Sequence, residues 1–98
     1  MSKIGYIRVS SIDQNTDRQE VALKELKVDK IFTEKLSGKN TNRPELHRML
    51  DYIREGDVLY IESISRLARS TKDLLSLVQI LQDKHVDLVS LKENIDTT

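Results

Sequence analysis

Short apolar segments alternate with helical segments along the whole of this 98-residue chain. The apolar segments cover residues 3–9, 30–34, 58–62 and 86–91, and apolar residues recur at helical spacing in the stretches between them. Strands that alternate with helices form parallel sheets, because each crossover helix returns the chain to the same edge of the sheet. The sequence therefore predicts an α/β domain with an open, mainly parallel sheet of about four strands and helices on both faces.

Capping residues predict where the three helices begin and end. A capping box at 16–19 predicts a first helix that ends near Val28. Pro44 suits the first turn of the second helix, and Gly56 suits its C-terminal cap. Ser70 or the next residue can cap a third helix that extends to about residue 84.

Composition excludes several classes of protein. The chain has no cysteine, which removes disulfides and thiolate metal sites, and its two histidines lie far apart in sequence. The longest apolar runs are far shorter than the roughly 20 residues that span a bilayer. We therefore expect a single-domain, soluble, cytoplasmic protein with no membrane segment, no metal and no cofactor.

The formal net charge is zero, but positive charge is concentrated in two segments. Residues 35–44 contain Lys35, Lys39 and Arg43 and no acidic residue. Residues 63–72 contain three more basic residues, again without an acid. Each segment follows a predicted strand. The carboxyl ends of parallel strands share one edge of the sheet, so both segments should lie there.

The first strand contributes to the same edge. Arg8 and Ser10 lie near its end and share alternation parity, so both should point to one side. Together with Arg43, Arg66 and Arg69 they predict a local anion site in a neutral protein. Phosphate is the anion that such a cluster of arginines fits best.

The motifs that form this edge occur in a recognisable order. In chain order they are Tyr6-Ile7-Arg8-Val9-Ser10, Gln14, Gln19, Ser37-Gly38 with Arg43, and Ser65-Arg66-Leu67-Ala68-Arg69. Over about residues 3–97 the chain resembles the catalytic domain of serine site-specific recombinases, the resolvase/invertase family. Each motif is weak alone, but their order along an α/β chain is specific.

The resemblance implies that Ser10 attacks a DNA phosphodiester, forms a 5′-phosphoserine link and releases a 3′-hydroxyl, after which the strands are exchanged and rejoined. The covalent link conserves the phosphoester energy, so the reaction needs neither ATP nor a metal. By the same resemblance, Arg8, Arg66 and Arg69 surround the phosphate. Planar guanidinium groups suit that task because they bind phosphate oxygens in pairs.

The resemblance also implies supporting roles around the phosphate. Arg43 and Ser37 are expected to contact the phosphate or the active site, and Gln14 and Gln19 to organise it. Two of the proposed residues also have ordinary structural explanations. Gln19 fits the capping box of the first helix, and Tyr6 fits a half-buried aromatic residue of the first strand.

One position departs from the family pattern. Many members carry aspartate immediately before the arginine that matches Arg66, and this chain has Ser65 there. A carboxylate that could donate a proton or anchor an arginine is therefore absent. Ser65 itself, Glu62 or Glu34 could compensate, or the arginines could move protons together with water.

The resemblance further implies DNA as the partner and homodimers that pair into tetramers. In the family a long dimerisation helix and a DNA-binding domain follow this point, so we expect a truncated chain that binds DNA weakly alone. Resolution, inversion and integration are all compatible with these residues. Two other functions stay open: a non-catalytic DNA-associated assembly module of the same fold, and a small phosphate-ligand-binding domain. The second lacks a glycine-rich phosphate loop.

Overall fold

The computed structural model describes residues 2–10, 17–36, 43–68 and 70–96. Its strands are β1 (Lys3–Ser10), β2 (Lys30–Leu36), β3 (Val58–Ile61), β4 (Asp87–Ser90) and β5 (Ile95–Asp96). Its helices are α1 (Asp17–Glu25), α2 (Pro44–Tyr52), α3 (Ile64–Leu67) and α4 (Thr71–Asp83). No helix in this part of the chain has the length and apolarity that a membrane crossing requires.

The strands form one sheet in the order β2-β1-β3-β4-β5. The first four strands are parallel to their neighbours, and β5 pairs antiparallel with β4. In β1, Tyr6 lies opposite Phe32 of β2 and opposite Ile61 of β3. The predicted open, mainly parallel sheet is confirmed, and its order reverses direction between β1 and β3.

Helices cover both faces of the sheet, as predicted. The larger core lies between the sheet and helices α2 and α4, where Tyr6, Met49 and Leu77 are buried together. The smaller core lies on the other face, where Leu23 of α1 packs near Ile7 of β1. Burial of large apolar side chains on both faces is the main force that holds such a layered domain together.

A glycine allows α1 to lie close to the sheet. A Cβ atom on Gly5 would lie 2.9 Å from Leu23 Cδ1 and 3.2 Å from Val28 Cγ1. Real Cβ atoms do not approach other heavy atoms as closely as the first of these distances. A larger residue at position 5 would therefore require the Leu23 side chain to shift.

The helix boundaries agree with the capping residues in part. Ser70 caps α4, because its hydroxyl oxygen accepts a hydrogen bond from the Asp73 backbone N–H at 3.1 Å. Pro44 opens α2 as predicted. The assignment of Gly56 as the cap of α2 was wrong: Ile53 caps that helix in an extended conformation. Gly56 instead adopts a φ of 90° in the turn before β3, a conformation that glycine accepts without strain.

The first helix ends earlier than expected, and two short elements were not predicted. Helix α1 ends at Glu25, whereas the apolar pattern had extended it to about Val28. The four-residue helix α3 lies in a segment expected to be a loop, and the two-residue strand β5 lies beyond the last expected strand. Elements this short contain too few residues to show a helical or alternating period.

Candidate active site

The carboxyl ends of β1 and β3 meet beside α3, at the point where the strand order reverses. Ligands of open α/β sheets bind in the crevice at such a reversal. In the strand register, Arg8 lies opposite Glu34 and Ser10 lies opposite Leu36. Helix α3 begins three residues after β3 ends and carries Ser65 and Arg66. The structure thus brings the first and last of the predicted motifs to one edge.

Arg8 links the first strand to α3 directly. Its side chain is half-buried, and its Nη2 donates a short hydrogen bond to the backbone carbonyl of Ser65. The final carbonyl groups of a helix lack partners within the helix, so an arginine is well suited to bind one. A guanidinium group is therefore held next to the residue that precedes Arg66.

Arg43 also binds α3, and it is buried. Its Nη1 donates to the Leu67 backbone carbonyl at 3.0 Å, and its Nη2 donates to Asp73 Oδ1 at 2.8 Å. Only 9% of its side chain and 20% of that of Asp73 are exposed. The ion pair joins the residue before α2 to α3 and to the first turn of α4. Both acceptors of Arg43 are groups of this domain, so these contacts do not test the predicted contact between Arg43 and phosphate. That contact stays a prediction.

Glu34 is buried at the N-terminus of α2. Its carboxylate accepts hydrogen bonds from the backbone N–H groups of Glu45, at 3.3 Å, and Leu46, at 3.0 Å. Free N–H groups and the helix dipole both favour a negative charge at this end of a helix. The sequence had suggested Glu34 only as a substitute for a missing acid. Glu34 lies two positions after the buried Phe32 in β2, and residues two apart in a strand point to the same face. This spacing is the sequence signal that could have shown Glu34 facing the core.

Tyr6 completes this buried group. The ring is fully buried, and the hydroxyl donates a long hydrogen bond of 3.5 Å to Glu34 Oε1. Burial, followed by the negative charge of Glu34, raises the pKa of the Tyr6 hydroxyl above its usual range. Tyr6 is therefore a neutral phenol at physiological pH. The sequence had predicted a half-buried strand aromatic, but Tyr6 is fully buried, and its hydroxyl also contacts Glu34.

Ser65 belongs to a chain of hydrogen bonds. Ser63 Oγ donates to Glu62 Oε2 at 3.2 Å, and Ser63 Oγ lies 3.0 Å from Ser65 Oγ, where either oxygen can be the donor. Ser63 is buried, whereas Ser65 is exposed at the edge. The sequence had singled out Ser65 and Glu62, but it gave no sign that a buried serine connects them.

Glu93 caps the first turn of α3 from the turn between β4 and β5. Its Oε1 accepts hydrogen bonds from the Ile64 backbone N–H, at 3.1 Å, and from the Ser90 hydroxyl. The Ser90 hydrogen bond lowers the pKa of the Glu93 carboxyl. This contact fixes the amino end of α3, while Arg8 and Arg43 bind carbonyl groups farther along the same helix.

The remaining predicted site residues are placed only in part. The backbone of Ser10 forms the end of β1, Gln19 lies in α1 and Arg66 lies in α3, but the positions of their side chains fall outside what the structure describes. Gln14, Ser37 and Arg69 lie outside the described residues altogether. Their roles stay predictions.

The structure also has an apolar groove away from the edge where Arg8 lies. An apolar groove of about 450 Å³ runs between α4 and β4 and is lined by residues such as Leu74, Val78 and Leu88. It contains none of the arginines described above. Within the described ranges, no three His, Cys, Asp or Glu side chains come together as metal ligands would.

Comparison with known proteins gives a consistent result. A family model described as "Resolvase, N terminal domain" matches residues 3–98. The chain is 48% identical over 93 residues to the transposon Tn501 resolvase of Pseudomonas aeruginosa, which covers 95% of this chain and 48% of that protein. It is 46% identical over 98 residues to the DNA-invertase hin of Salmonella typhimurium, which covers 100% of this chain and 52% of that protein. The chain thus spans about half the length of the curated relatives it matches.

A solved structure supports the same relationship. The N-terminal catalytic domain of TP901-1 integrase superposes on this fold with a TM-score of 0.81 at 29% sequence identity. The superposition covers 97% of this chain and 81% of that one. The similarity in fold therefore extends over almost the whole of this chain.

Proposed function

Because this chain belongs to the family of resolvase N-terminal domains, we propose that it is the catalytic domain of a DNA site-specific serine recombinase. The observation that carries the proposal is the hydrogen bond from Arg8 to Ser65. It joins the strand that ends at Ser10 to the helix that contains Arg66. Residues from two motifs far apart in sequence thus meet where a phosphate could bind.

In the proposed reaction, Ser10 Oγ forms a bond to phosphorus while the bond from phosphorus to the 3′-oxygen breaks. The electron pair of the broken bond goes to the 3′-oxygen, which becomes a hydroxyl group when it takes a proton. The protein then holds the DNA through a 5′-phosphoserine. Attack of a 3′-hydroxyl on this ester rejoins the strand, so neither ATP nor a cofactor is required.

The arginines supply the positive charge that phosphoryl transfer requires. Arg8, Arg66 and Arg69 would bind the non-bridging oxygens, which carry negative charge throughout the reaction. Arg8 already donates to a neutral carbonyl, and a phosphate oxygen is a stronger acceptor because it is charged. A guanidinium group has five N–H donors, so Arg8 can bind a phosphate oxygen while its Nη2 keeps the Ser65 carbonyl.

Supporting residues extend this arrangement. Gln14, Gln19 and Ser37 are proposed to position the phosphate or the nucleophile. Tyr6 and Arg43 support the site from beneath through their contacts with Glu34 and Asp73. In the full-length protein, homodimers that pair into tetramers would bring two DNA sites together. We place this reaction in the cytoplasm, where the chain would meet DNA.

A suicide substrate tests the proposal. The full-length protein is incubated with nicked DNA duplexes tiled across the DNA that flanks its gene, so that a cleaved fragment diffuses away and the covalent adduct accumulates. We expect an adduct with the wild-type protein and with Ser11→Ala, and none with Ser10→Ala. An adduct that persists in Ser10→Ala, or that is lost only in Ser11→Ala, would assign the nucleophile elsewhere.

A further inference from the structure

We propose that Glu62, Ser63 and Ser65 form a proton relay that takes up the proton of the attacking serine hydroxyl. The inference rests on the proposed function and concerns the surroundings of Ser65, the position at which this chain departs from the family pattern that its sequence resembles. It assigns new roles to Glu62 and Ser63, which act through Ser65. The three residues connect a half-buried carboxylate to an exposed hydroxyl at the edge where Arg8 lies.

The hydrogen bonds are continuous along the relay. Ser63 Oγ donates to Glu62 Oε2 at 3.2 Å and lies 3.0 Å from Ser65 Oγ. Because Ser63 donates its one hydroxyl proton to Glu62, it accepts a proton from Ser65 in the same chain. In this orientation each hydroxyl donates toward the carboxylate. The relay is thus arranged to receive a proton at Ser65.

The side chain of Ser63 is not engaged in an ordinary helix cap. Ser63 occupies the N-cap position of α3, where serine commonly binds a backbone N–H group of the first turn. Here its side chain makes no capping hydrogen bond. The Ile64 backbone N–H donates instead to Glu93 Oε1 at 3.1 Å. Ser63 is only 2% exposed, so its hydroxyl is held between Glu62 and Ser65 away from bulk water.

Arg8 places the exposed end of the relay beside the proposed phosphate site. Its hydrogen bond goes to the backbone carbonyl of Ser65, which leaves the Ser65 hydroxyl available for the relay. Ser10 follows Arg8 by two positions at the end of the same strand. The relay therefore ends at the residue that holds the strand of the nucleophile in place.

The proton transfers balance in both directions. During attack, the Ser10 proton moves to Ser65, the Ser65 proton to Ser63 and the Ser63 proton to the Glu62 carboxylate. The departing 3′-oxygen takes its proton from a water molecule, which leaves a hydroxide ion that passes to the solvent; this hydroxide balances the proton held on Glu62. During rejoining, the 3′-hydroxyl attacks and releases a proton to water, while Glu62 returns the stored proton along the relay to Ser10 Oγ.

Several charged groups face the carboxylate of Glu62 or its relay. Lys92 borders the same surface hollow as Glu62, together with Ala22 of α1. Arg8 approaches from β1, and Glu93 lies at the amino end of α3. These groups could also affect how the rate depends on pH. The test therefore compares variants that each change one side chain of the relay and leave these groups in place.

The test measures the rate of adduct formation on the nicked duplexes as a function of pH. In wild-type protein the rate should fall at acidic pH, because the relay works only while it ends in an ionised carboxylate. Glu62→Gln should lower the rate about 100-fold at neutral pH and remove this fall, in line with the effect of general acid–base catalysis. Ser63→Ala should give a similar loss, and Ser63→Thr should recover most of the rate because it keeps the hydroxyl.

Ser65→Ala is the substitution that should disturb folding least. Ser65 is exposed, and its backbone carbonyl can still bind Arg8 after the side chain is removed. Its rate should fall as in Ser63→Ala, with DNA affinity unchanged in a gel shift. Ser76→Ala, at an exposed position of α4, is the matched control and should keep the wild-type rate and pH profile.

The outcomes separate the relay from the proposed function. Wild-type rates in Ser65→Ala and Glu62→Gln, or slower rates with an unchanged pH profile, would overturn the relay and leave the Ser10 reaction intact. Absence of any Ser10-dependent adduct in wild-type protein would overturn the proposed function and the relay with it. Slower rates together with loss of the acidic limb would support the relay.

Discussion

Two arginines bind carbonyl groups of the same short helix in different surroundings. Arg8 belongs to the rim, which we define as Arg8, Glu62 and Ser65 at the carboxyl edge of the sheet. Arg43 belongs to the buried polar layer beneath it, which we define as Tyr6, Glu34, Arg43 and Asp73. Arg43 is buried and pairs with the Asp73 carboxylate, whereas Arg8 is half-buried and its Nη2 donates to the Ser65 backbone carbonyl. Arg43 is thus enclosed within the fold, whereas Arg8 lies at the partly exposed edge where we propose that phosphate binds.

The largest expected effect is on the rim. Arg8→Ala should lower the rate of adduct formation about 10²–10³-fold, the usual cost of losing one preorganised donor to a developing charge. Arg8→Lys should recover part of that loss because it restores charge without the paired N–H groups. The rates are measured on the nicked duplexes.

A matched control for Arg8 lies on α2. Arg48 is exposed and pairs with Glu45 three residues earlier, and pairs of this kind contribute little. Arg48→Ala should therefore keep both the rate and the stability of wild-type protein. If Arg8→Ala kept the wild-type rate, Arg8 would have no role in catalysis, and the proposed difference between the rim and the buried layer would be wrong.

The next effect is on the stability of the buried layer. Arg43→Ala should lower the free energy of unfolding by about 3 kcal/mol, because it leaves the Asp73 carboxylate partly buried without this partner. Replacing both residues by apolar ones, as Arg43→Met with Asp73→Leu, should recover much of the loss. Urea unfolding measures both values. A stable Arg43→Ala protein that fails to cleave DNA would instead place Arg43 in contact with phosphate.

Glu34 should show a smaller effect of the same kind. Glu34→Gln keeps an acceptor for the backbone N–H groups at the start of α2 but removes the negative charge that the helix favours. We expect a loss of about 1–2 kcal/mol in the free energy of unfolding. Glu55→Gln, at an exposed position, is the control and should leave stability unchanged. Equal stability in the two variants would contradict a structural role for Glu34.

The smallest effect concerns pH. Because burial raises the pKa of the Tyr6 hydroxyl in the folded protein, unfolded chains ionise first as pH rises past about 10. The contribution of Tyr6 to stability is thus complete below that pH and is lost above it. The free energy of unfolding of Tyr6→Phe should fall less steeply with rising pH than that of wild-type protein. Tyr52→Phe, which changes an exposed ring, should show the same pH dependence as wild-type protein. Urea unfolding from pH 8 to pH 11 measures the difference.

The rim could be predicted from sequence better than the layer beneath it. Alternating strands and helices place the carboxyl ends of parallel strands at one edge, so Arg8 and the basic segment 63–72 were expected to lie at the same edge. The burial of Arg43 could not be foreseen, because its partner Asp73 lies 30 positions away and lies close to it only in the folded chain. Polar residues are usually exposed, and burial against a distant partner leaves no local pattern.

The relay residues also differ in how far the sequence could reveal them. Ser65 stood out because it replaces an expected aspartate, but Ser63 carries no signal in a sequence. Its burial depends on how α3 folds against β3, and α3 is too short to show a helical period. Contacts between short elements therefore had to come from the structure.

The central claim is that Ser10, at the end of β1, is the nucleophile that attacks DNA. The most direct measurement is to trap the adduct on a nicked duplex, digest the DNA and the protein, and locate the remaining nucleotide by mass spectrometry. The account predicts a 5′-phosphate esterified to Ser10 and a free 3′-hydroxyl on the released strand. A 3′-phosphate linkage, or a nucleotide on any other residue, would contradict it.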